Sequence, residues 1–254
     1  MTTKDTILAL LCKNKGFFIS GEYIAHELNI SRTAVWKSVR KLKDEGYEID
    51  AVTNRGYCLS KDTDLLYSQG ISKFLDKDTA ETIRTEVFIS TDSTEERCLE
   101  KASRNEKEGY VAVSCSQPPA RSRKKEFFYS PADTGVQMSV YLKPEGVKDT
   151  EVMRLAFDAL HKAVDDIFNK EASLHDGSIY ANDKKVGRIS GKSNGDTLII
   201  NIALNIFPPV NGFPEQMDGE LGTVADKKEE PVRNKLVAEI LNNLIGTYKK
   251  AQKS

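Results

Sequence analysis

The most constraining feature of the sequence is a run of three short helical segments at its N-terminus. Apolar residues recur at helical spacing from Thr3 to Cys12, and Ser20 is placed to cap a second helix that breaks at Asn29. Ser31 is placed to cap a third helix, whose apolar positions are Val35, Val39 and Leu42. Two short helices, a three-residue break and a third helix form the helix-turn-helix pattern.

The third helix is strongly basic, and the first acidic residue that it meets is Asp44. Its cations are Arg32, Lys37, Arg40, Lys41 and Lys43. Uncompensated positive charge along one helix suits the phosphates of DNA. Because the N-terminal end of this helix enters the major groove in the motif, we expect Ser31, Arg32 and Thr33 to face base edges.

A short β-like segment follows the third helix. Residues 47–52 alternate in polarity, residues 53–56 predict a turn, and residues 57–59 return, which predicts a two-stranded wing with Arg55 at its tip. The whole predicts a winged helix-turn-helix domain bound to a double-stranded DNA operator. The predicted contacts are Ser31, Arg32, Thr33, Lys37, Arg40, Lys41 and Arg55. The alternatives are a solvated basic face and a protein-docking module.

Composition places the chain among ordinary globular proteins, with 39% hydrophobic and 30% charged residues and a net charge of −1. The net charge therefore does not indicate a nucleic-acid partner, and only the local clustering of cations does. The four cysteines are far apart and no histidine cluster accompanies them, so we expect no metal site and a reducing compartment. Without a signal-peptide core or a bilayer-length apolar run, the sequence predicts a cytoplasmic protein with no membrane partner.

The rest of the chain predicts an α+β domain with a mostly antiparallel sheet. Strands are expected near residues 87–89, 110–115, 136–142, 171–180, 185–192 and 196–206. Helices are expected over residues 95–103, 151–169 and 231–248. The predicted boundaries are a DNA-binding domain over 1–62, a connector with some helix over 63–84, and the α+β domain over 85–254.

The motif Thr91-Asp-Ser-Thr94, followed by a loop over 117–131 that ends in Tyr-Ser-Pro, resembles the bifunctional biotin protein ligase and biotin operon repressor family. The resemblance covers nearly the whole chain. It implies that the second domain is a class II synthetase-like, biotin/lipoate ligase-like mixed sheet. It also implies the family's functions: forming biotinyl-adenylate from biotin and ATP, transferring biotin to a carboxylase subunit, and repressing biotin genes as a dimer.

The resemblance also implies a ligand site, whose matching positions are Ser93, Thr94, Gln117, Arg121 and Arg123. In the family the two hydroxyls contact the biotin ring, the glutamine opens the loop, and the arginines lie at the adenylate phosphate. From composition alone, residues 117–126 predict either an anion-binding loop or a solvated one.

Positions that carry the family's chemistry differ in this chain. The three glycines of the loop are absent and Glu126 replaces an arginine, which changes both backbone approach and charge. Leu174 falls where the family has the lysine that neutralises charge as the adenylate forms. Arg188 replaces a glycine of the pocket wall and favours an anionic ligand, and residues 201–205 replace a glycine-rich nucleotide strand. The family's small C-terminal barrel is not expected after the last helix.

Three hypotheses follow. The favoured one is a transcriptional regulator whose ligase-like domain is a pseudoenzyme without catalytic residues, which senses a small-molecule effector such as biotin or biotinyl-AMP, forms a homodimer, or does both. The second is an active biotin ligase and repressor that uses ATP and Mg²⁺ on a carboxylase biotin-carrier domain, with its lysine at Lys184, Lys185 or Lys192. The third is a DNA-binding dimer whose second domain is purely structural.

Overall fold

The structure is a computed structural model, and it describes residues 3–44, 47–60, 64–117, 128–131, 134–209, 211–217, 219–227 and 231–253. The chain forms two compact units, Met1–Leu65 and Leu66–Ser254, called unit 1 and unit 2. The observed division falls after Leu65, whereas the domain boundaries at 62 and 84 stay predictions.

Unit 1 contains three helices and a two-stranded sheet. They are α1 (Thr3–Lys13), α2 (Gly21–Glu27), α3 (Arg32–Asp44), β1 (Ile49–Val52) and β2 (Gly56–Leu59). Both predicted caps are present, because Tyr23 N donates to Ser20 Oγ at 3.0 Å and Ala34 N donates to Ser31 Oγ at 3.1 Å. The predicted inner face of α3 is buried at Val35, Val39 and Leu42. The helix-turn-helix order is therefore confirmed.

The wing is an antiparallel pair of β1 and β2, joined by a turn that needs left-handed backbone. Asn54 has φ 65° and Gly56 has φ 98°. A Cβ atom on Gly56 would lie 2.1 Å from the carbonyl oxygen of Ile19, so this position passes directly against the segment before α2. The backbones of Ile19 and Tyr57 exchange two hydrogen bonds of 2.9 Å, which hold the wing against that segment.

Unit 2 is built from one large sheet and five α-helices among the residues described. The helices are α4 (Ser68–Ser72), α5 (Lys77–Thr82), α6 (Thr94–Ser103), α7 (Asp149–Phe168) and α8 (Arg233–Ala251), with a 3-10 turn at Glu215–Met217. The strands are β3 (Arg84–Phe88), β4 (Tyr110–Ser114), β5 (Gly135–Leu142), β6 (Ser173–His175), β7 (Ser178–Ala181), β8 (Lys184–Asn194) and β9 (Thr197–Asn205). Their order in the sheet is β3-β4-β5-β9-β8-β7-β6. The β3–β4 pair is parallel and the other pairs are antiparallel, which confirms the α+β class with a mixed sheet.

One face of this sheet carries the main core. The central strands β5 and β9 direct alternate apolar residues towards α7 and α8, namely Val136, Met138, Val140, Ile200, Ile202 and Leu204. The predicted stripe of α7 meets them with Val152, Leu155, Ala156, Leu160, Ala163 and Val164. Since α7 and α8 cover this face, the polar residues of β5 and β9 point to the opposite face, where α6 lies. Within the described ranges, no helix is both long and apolar enough to cross a membrane.

Hydrogen bonds hold the segment that precedes β3 against α8. The backbone N–H of Tyr67 donates to Asn234 Oδ1 at 3.1 Å, and that of Asp76 donates to Asn242 Oδ1 at 3.0 Å. Asn242 Nδ2 donates in turn to the carbonyl oxygen of Phe74 at 2.9 Å. Helices α4 and α5 are therefore packed parts of unit 2, although the sequence favoured a connector with some helix there.

Gly56→Ala is expected to lower the free energy of unfolding of unit 1 by about 2–3 kcal/mol, because the new Cβ clashes with Ile19 and the backbone has positive φ. Urea unfolding can be followed by the fluorescence of Trp36, the only tryptophan of the chain. As a control, Gly246→Ala in α8 meets nothing within 4 Å and should leave the Trp36 transition unchanged. An unaltered midpoint for Gly56→Ala would mean that the wing does not need this turn geometry.

Candidate functional site

The predicted DNA contacts of unit 1 all lie on its surface, in α3, at its cap or in the wing turn. Ser31, Arg32, Thr33, Lys37, Arg40, Lys41 and Arg55 are each exposed. Because α3 buries its apolar stripe, its cations project away from the core. The sequence thus located a basic surface, and its role in binding stays a prediction.

A groove of about 830 Å³ runs between α3 and the wing. Its α3 side includes Arg32, Thr33, Trp36, Arg40 and Lys43, and its wing side includes Ala51, Val52, Thr53 and Asn54. Lys37 and Lys41 are exposed on α3 outside this lining. The predicted contacts therefore divide into residues that line the groove and residues that flank it.

Two side chains of this surface make ring contacts. Arg55 lies in the wing turn as expected, and its guanidinium carbon is 4.1 Å from the centroid of the Phe18 ring. This cation–π contact orients Arg55 towards its own unit. Trp36, for which the sequence allowed an inward or an outward position, is 50% exposed, with the Arg40 guanidinium 5.6 Å from its ring.

In unit 2 a chain of hydrogen bonds crosses the sheet face that α6 covers. Gln117 Oε1 accepts from Thr94 N at 2.9 Å, and the hydroxyls of Thr94 and Ser139 are 2.9 Å apart. Ser139 Oγ lies 2.7 Å from Asn201 Oδ1, and Asn201 Nδ2 donates to Glu95 Oε2 at 2.6 Å. Lys192 Nζ donates to the other oxygen of the same carboxylate at 2.7 Å. The chain runs from the end of β4 to the outer part of β8.

The chemistry of the groups determines which of them donates and which accepts in each of these hydrogen bonds. The Glu95 carboxylate, which is paired with a lysine, only accepts, so the Asn201 amide nitrogen must face it and the amide oxygen must face Ser139. Ser139 then donates to Asn201, which leaves Thr94 to donate to Ser139. With Thr94 3% exposed and Ser139 fully buried, the interaction is shielded from water and correspondingly strong.

The structure brings several of the predicted ligand positions to this face. Thr94 and Gln117 belong to the hydrogen-bonded chain, and Ser93 lies beside them, where its Oγ accepts from Glu96 N at 3.2 Å as the cap of α6. Arg188 is half-buried on β8 opposite Ala203, two pairs along from the Ser190–Asn201 pair and therefore on the same face. Arg121 and Arg123 lie outside the described residues.

Polar atoms assigned to a biotin ring by the resemblance therefore already have protein partners. The Ser93 hydroxyl caps a helix and the Thr94 hydroxyl bonds to Ser139. Asn201 also places a side chain where the family strand has glycine. The O–H of Ser93 can still donate and the oxygen of Thr94 can still accept, so a ligand here would meet hydroxyls whose orientation these protein partners already set.

The positions of Leu174 and Lys192 show which of them can bring positive charge to the polar face. Leu174 lies on the edge strand β6 with 38% of its surface exposed, and its alkyl side chain supplies no charge. Among the alternative lysines, Lys192 reaches the polar face through Glu95, whereas Lys184 is exposed at the start of β8. Burial raises the pKa of the nearby Cys98 thiol to about 12, so this group stays protonated and does not act as a nucleophile.

Sequence reasoning missed Glu95, Ser139 and Gln137. Gln137 is 7% exposed and pairs with Ala203 across β5 and β9. A signal was present, because polar Gln137 and Ser139 alternate with apolar residues in a strand whose eight residues are all buried. Polar residues on the second face of a fully buried strand must find partners, and that requirement could have identified them.

Comparison with known proteins adds sequence relatives for both units. Residues 3–58 match the model of the HTH domain family. The chain is 29% identical over 226 residues to the bifunctional ligase/repressor BirA of Bacillus subtilis, a match covering 85% of this chain and 69% of that protein. It is 28% identical over 139 residues to BirA of Escherichia coli, covering 55% of this chain and 41% of that protein.

Solved structures show the same fold in unit 2. Biotin protein ligase from Aquifex aeolicus in complex with biotin and ATP matches with a TM-score of 0.55 and 20% identity, over 67% of this chain and 72% of that chain. Biotin protein ligase from Leishmania major in complex with biotinyl-5-AMP matches with a TM-score of 0.52 and 21% identity, over 66% of this chain and 75% of that chain.

Fold and relatives together define a protein in which a helix-turn-helix domain precedes a biotin protein ligase-like domain. The chain is similar in sequence to the bifunctional ligase/repressor BirA, which agrees with the resemblance seen in the sequence.

Ser139→Ala is expected to lower the free energy of unfolding of unit 2 by about 1–3 kcal/mol, because Thr94 and Asn201 each lose a buried partner. Far-UV circular dichroism in urea measures this, while Trp36 fluorescence follows unit 1 separately. Ser72→Ala, at an exposed hydroxyl that donates to Ser68, serves as the control and should change stability by no more than about 0.5 kcal/mol. If both variants unfold like the wild type, the hydrogen-bonded chain does not stabilise the domain.

Proposed function

We propose that the chain is a DNA-binding transcriptional regulator, acting as a repressor, whose ligase-like unit does not form biotinyl-adenylate. In this proposal unit 2 senses a small-molecule effector and provides a homodimer that places two recognition helices on a double-stranded operator. The observation that carries it is the pairing of Thr94, Ser139, Asn201 and Glu95 across the face that a ligase needs for its ligand.

Unit 1 supports DNA binding through charge and geometry. The exposed cations of α3 meet no acid before Asp44, and the capped N-terminus of the helix presents Ser31, Arg32 and Thr33 together. Positive charges release counterions from DNA when they bind its phosphates, which gives sequence-independent affinity. The base contacts of the short side chains at the helix start would then select the operator.

The residues of unit 2 support a regulatory rather than a catalytic role. The alkyl side chain of Leu174 cannot neutralise negative charge that develops on a phosphoryl group. Asn201 and Ala203 place side chains where the family strand has glycine, so less room remains beside the backbone. Biotin and biotinyl-AMP are the first effectors to test, and Arg188 on the same face favours an anionic ligand.

An active biotin ligase and repressor is the second candidate, and the position of Lys192 favours it. Lys192 Nζ reaches the polar face of the sheet, and its strand is longer than the β6 edge that carries Leu174. If Lys192 left Glu95, it could supply the positive charge that Leu174 lacks. Such an enzyme would need ATP, Mg²⁺ and a carboxylase biotin-carrier domain, as the family resemblance implies.

Mass spectrometry of the purified protein with biotin and Mg-ATP separates the two candidates. We expect no biotinyl-adenylate, because Leu174 brings no positive charge to the position of the family's lysine. The ligase/repressor BirA of Bacillus subtilis provides the positive control under the same conditions. Adenylate formed by the wild type and abolished in Lys192→Ala would establish the ligase candidate and its lysine.

Lys37→Ala and Arg40→Ala should each weaken binding to duplex DNA and reduce the slope of log affinity against log salt by about 1 for each phosphate that the protein no longer neutralises. Fluorescence anisotropy between about 50 and 200 mM salt measures both quantities. Lys13→Ala, which removes an exposed charge from the end of α1, is the control and should keep the slope. Equal slopes for the wild type and all three variants would rule out α3 as the phosphate-binding helix.

A further inference from the structure

The groove between α3 and the wing contains more exposed apolar surface than a purely electrostatic interface needs. Trp36 is 50% exposed and Val52 is 42% exposed, and both line this groove from opposite sides. Single exposed apolar residues are common on protein surfaces, but these two face one groove from opposite walls, where a bound partner would cover both. Because cations surround them, a partner that covers these side chains must carry negative charge beside apolar surface.

The lining combines positive charge with apolar surface. Arg32, Arg40 and Lys43 supply the charge, and Asp44 is the acid in this lining. The Arg40 guanidinium lies 5.6 Å from the Trp36 ring, so a cation and an aromatic face stand side by side. A strand of DNA has the complementary pattern, because anionic phosphates alternate with the apolar faces of deoxyribose.

The two apolar side chains of the groove are poorly suited to reading bases. Base edges in the major groove are distinguished by side chains that form two hydrogen bonds at once, through two donors in arginine or through a donor and an acceptor in asparagine and glutamine. Trp36 offers a single N–H donor and Val52 offers none. These two residues therefore contribute contact area and not base selection.

We propose that this groove receives the sugar–phosphate backbone of one strand of duplex DNA, with Trp36 and Val52 packed against deoxyribose. The proposal rests on the proposed DNA-binding function and adds a contribution to affinity that is apolar and independent of sequence. Apolar contacts release no counterions, so removing them lowers affinity by the same factor at every salt concentration. That behaviour distinguishes Trp36 from the cations beside it.

Because Trp36 is the only tryptophan of the chain, the wild-type protein reports on its own groove. Acrylamide, a neutral quencher, should quench Trp36 fluorescence strongly in the free protein and several-fold less when a mixed-sequence duplex of two helical turns is bound. Anisotropy of the labelled duplex shows when binding is saturated. Unchanged quenching at saturation overturns the proposal while leaving DNA binding intact.

Substitutions in the whole chain test how much these residues contribute to the affinity for DNA. Trp36→Ala should bind the same duplex about tenfold more weakly at every salt concentration, with a parallel log–log plot, and Val52→Ser should show a smaller decrease of the same kind. Trp36→Leu should recover part of the affinity, since it restores apolar contact. Phe74→Ala removes an aromatic side chain of similar exposure, 43%, from unit 2 and should have no effect.

The outcomes separate this proposal from the one on which it rests. A wild type that fails to bind duplex DNA overturns both. A wild type that binds, with Trp36→Ala and Val52→Ser indistinguishable from it, overturns only the contact with deoxyribose. A changed salt slope in Trp36→Ala also overturns it, because the residue would then act through the charge of Arg40.

Discussion

Strand β5 has no face in water, and the arrangement of unit 2 follows from that constraint. Its apolar residues meet α7 and α8, but Ser139 on the other side carries a hydroxyl that cannot remain unpaired. The hydroxyl bonds to Thr94 at the start of α6 and to Asn201 on β9, which ties helix and sheet together. The Glu95 carboxylate ends the chain of donors, so the position of α6 and the polarity of the face are set together.

Unit 1 follows the opposite rule, because the side chains predicted to contact DNA remain in water. The stripe of Val35, Val39 and Leu42 fixes α3 against its own unit and leaves the cations on the outer surface. Solvated charges cost little free energy in the unbound protein, and they favour binding when they replace the counterions of phosphates. The wing, held by the backbone pairing of Ile19 and Tyr57, supplies the second wall of the groove.

Local signals made unit 1 predictable from the sequence, since caps, helical spacing and the wing turn all act within a few residues. The α+β class and most strands of unit 2 were also predictable. The hydrogen-bonded chain was not, because its partners are distant: Thr94 and Ser139 are separated by 45 positions, and Glu95 and Asn201 by 106. The contact of Arg55 with Phe18 was missed for the same reason. Family resemblance indicated which positions mattered, but only the fold shows what those side chains contact.

These differences decide how each surface responds to substitution. On α3, exposed residues without shared partners should contribute nearly additively to DNA affinity, so binding can change in small steps while the fold is kept. In unit 2, Thr94, which the resemblance predicts as a ligand contact, also forms one hydrogen-bonded group with Ser139 and Asn201. A substitution that breaks one of these hydrogen bonds therefore also alters how α6 packs on the sheet.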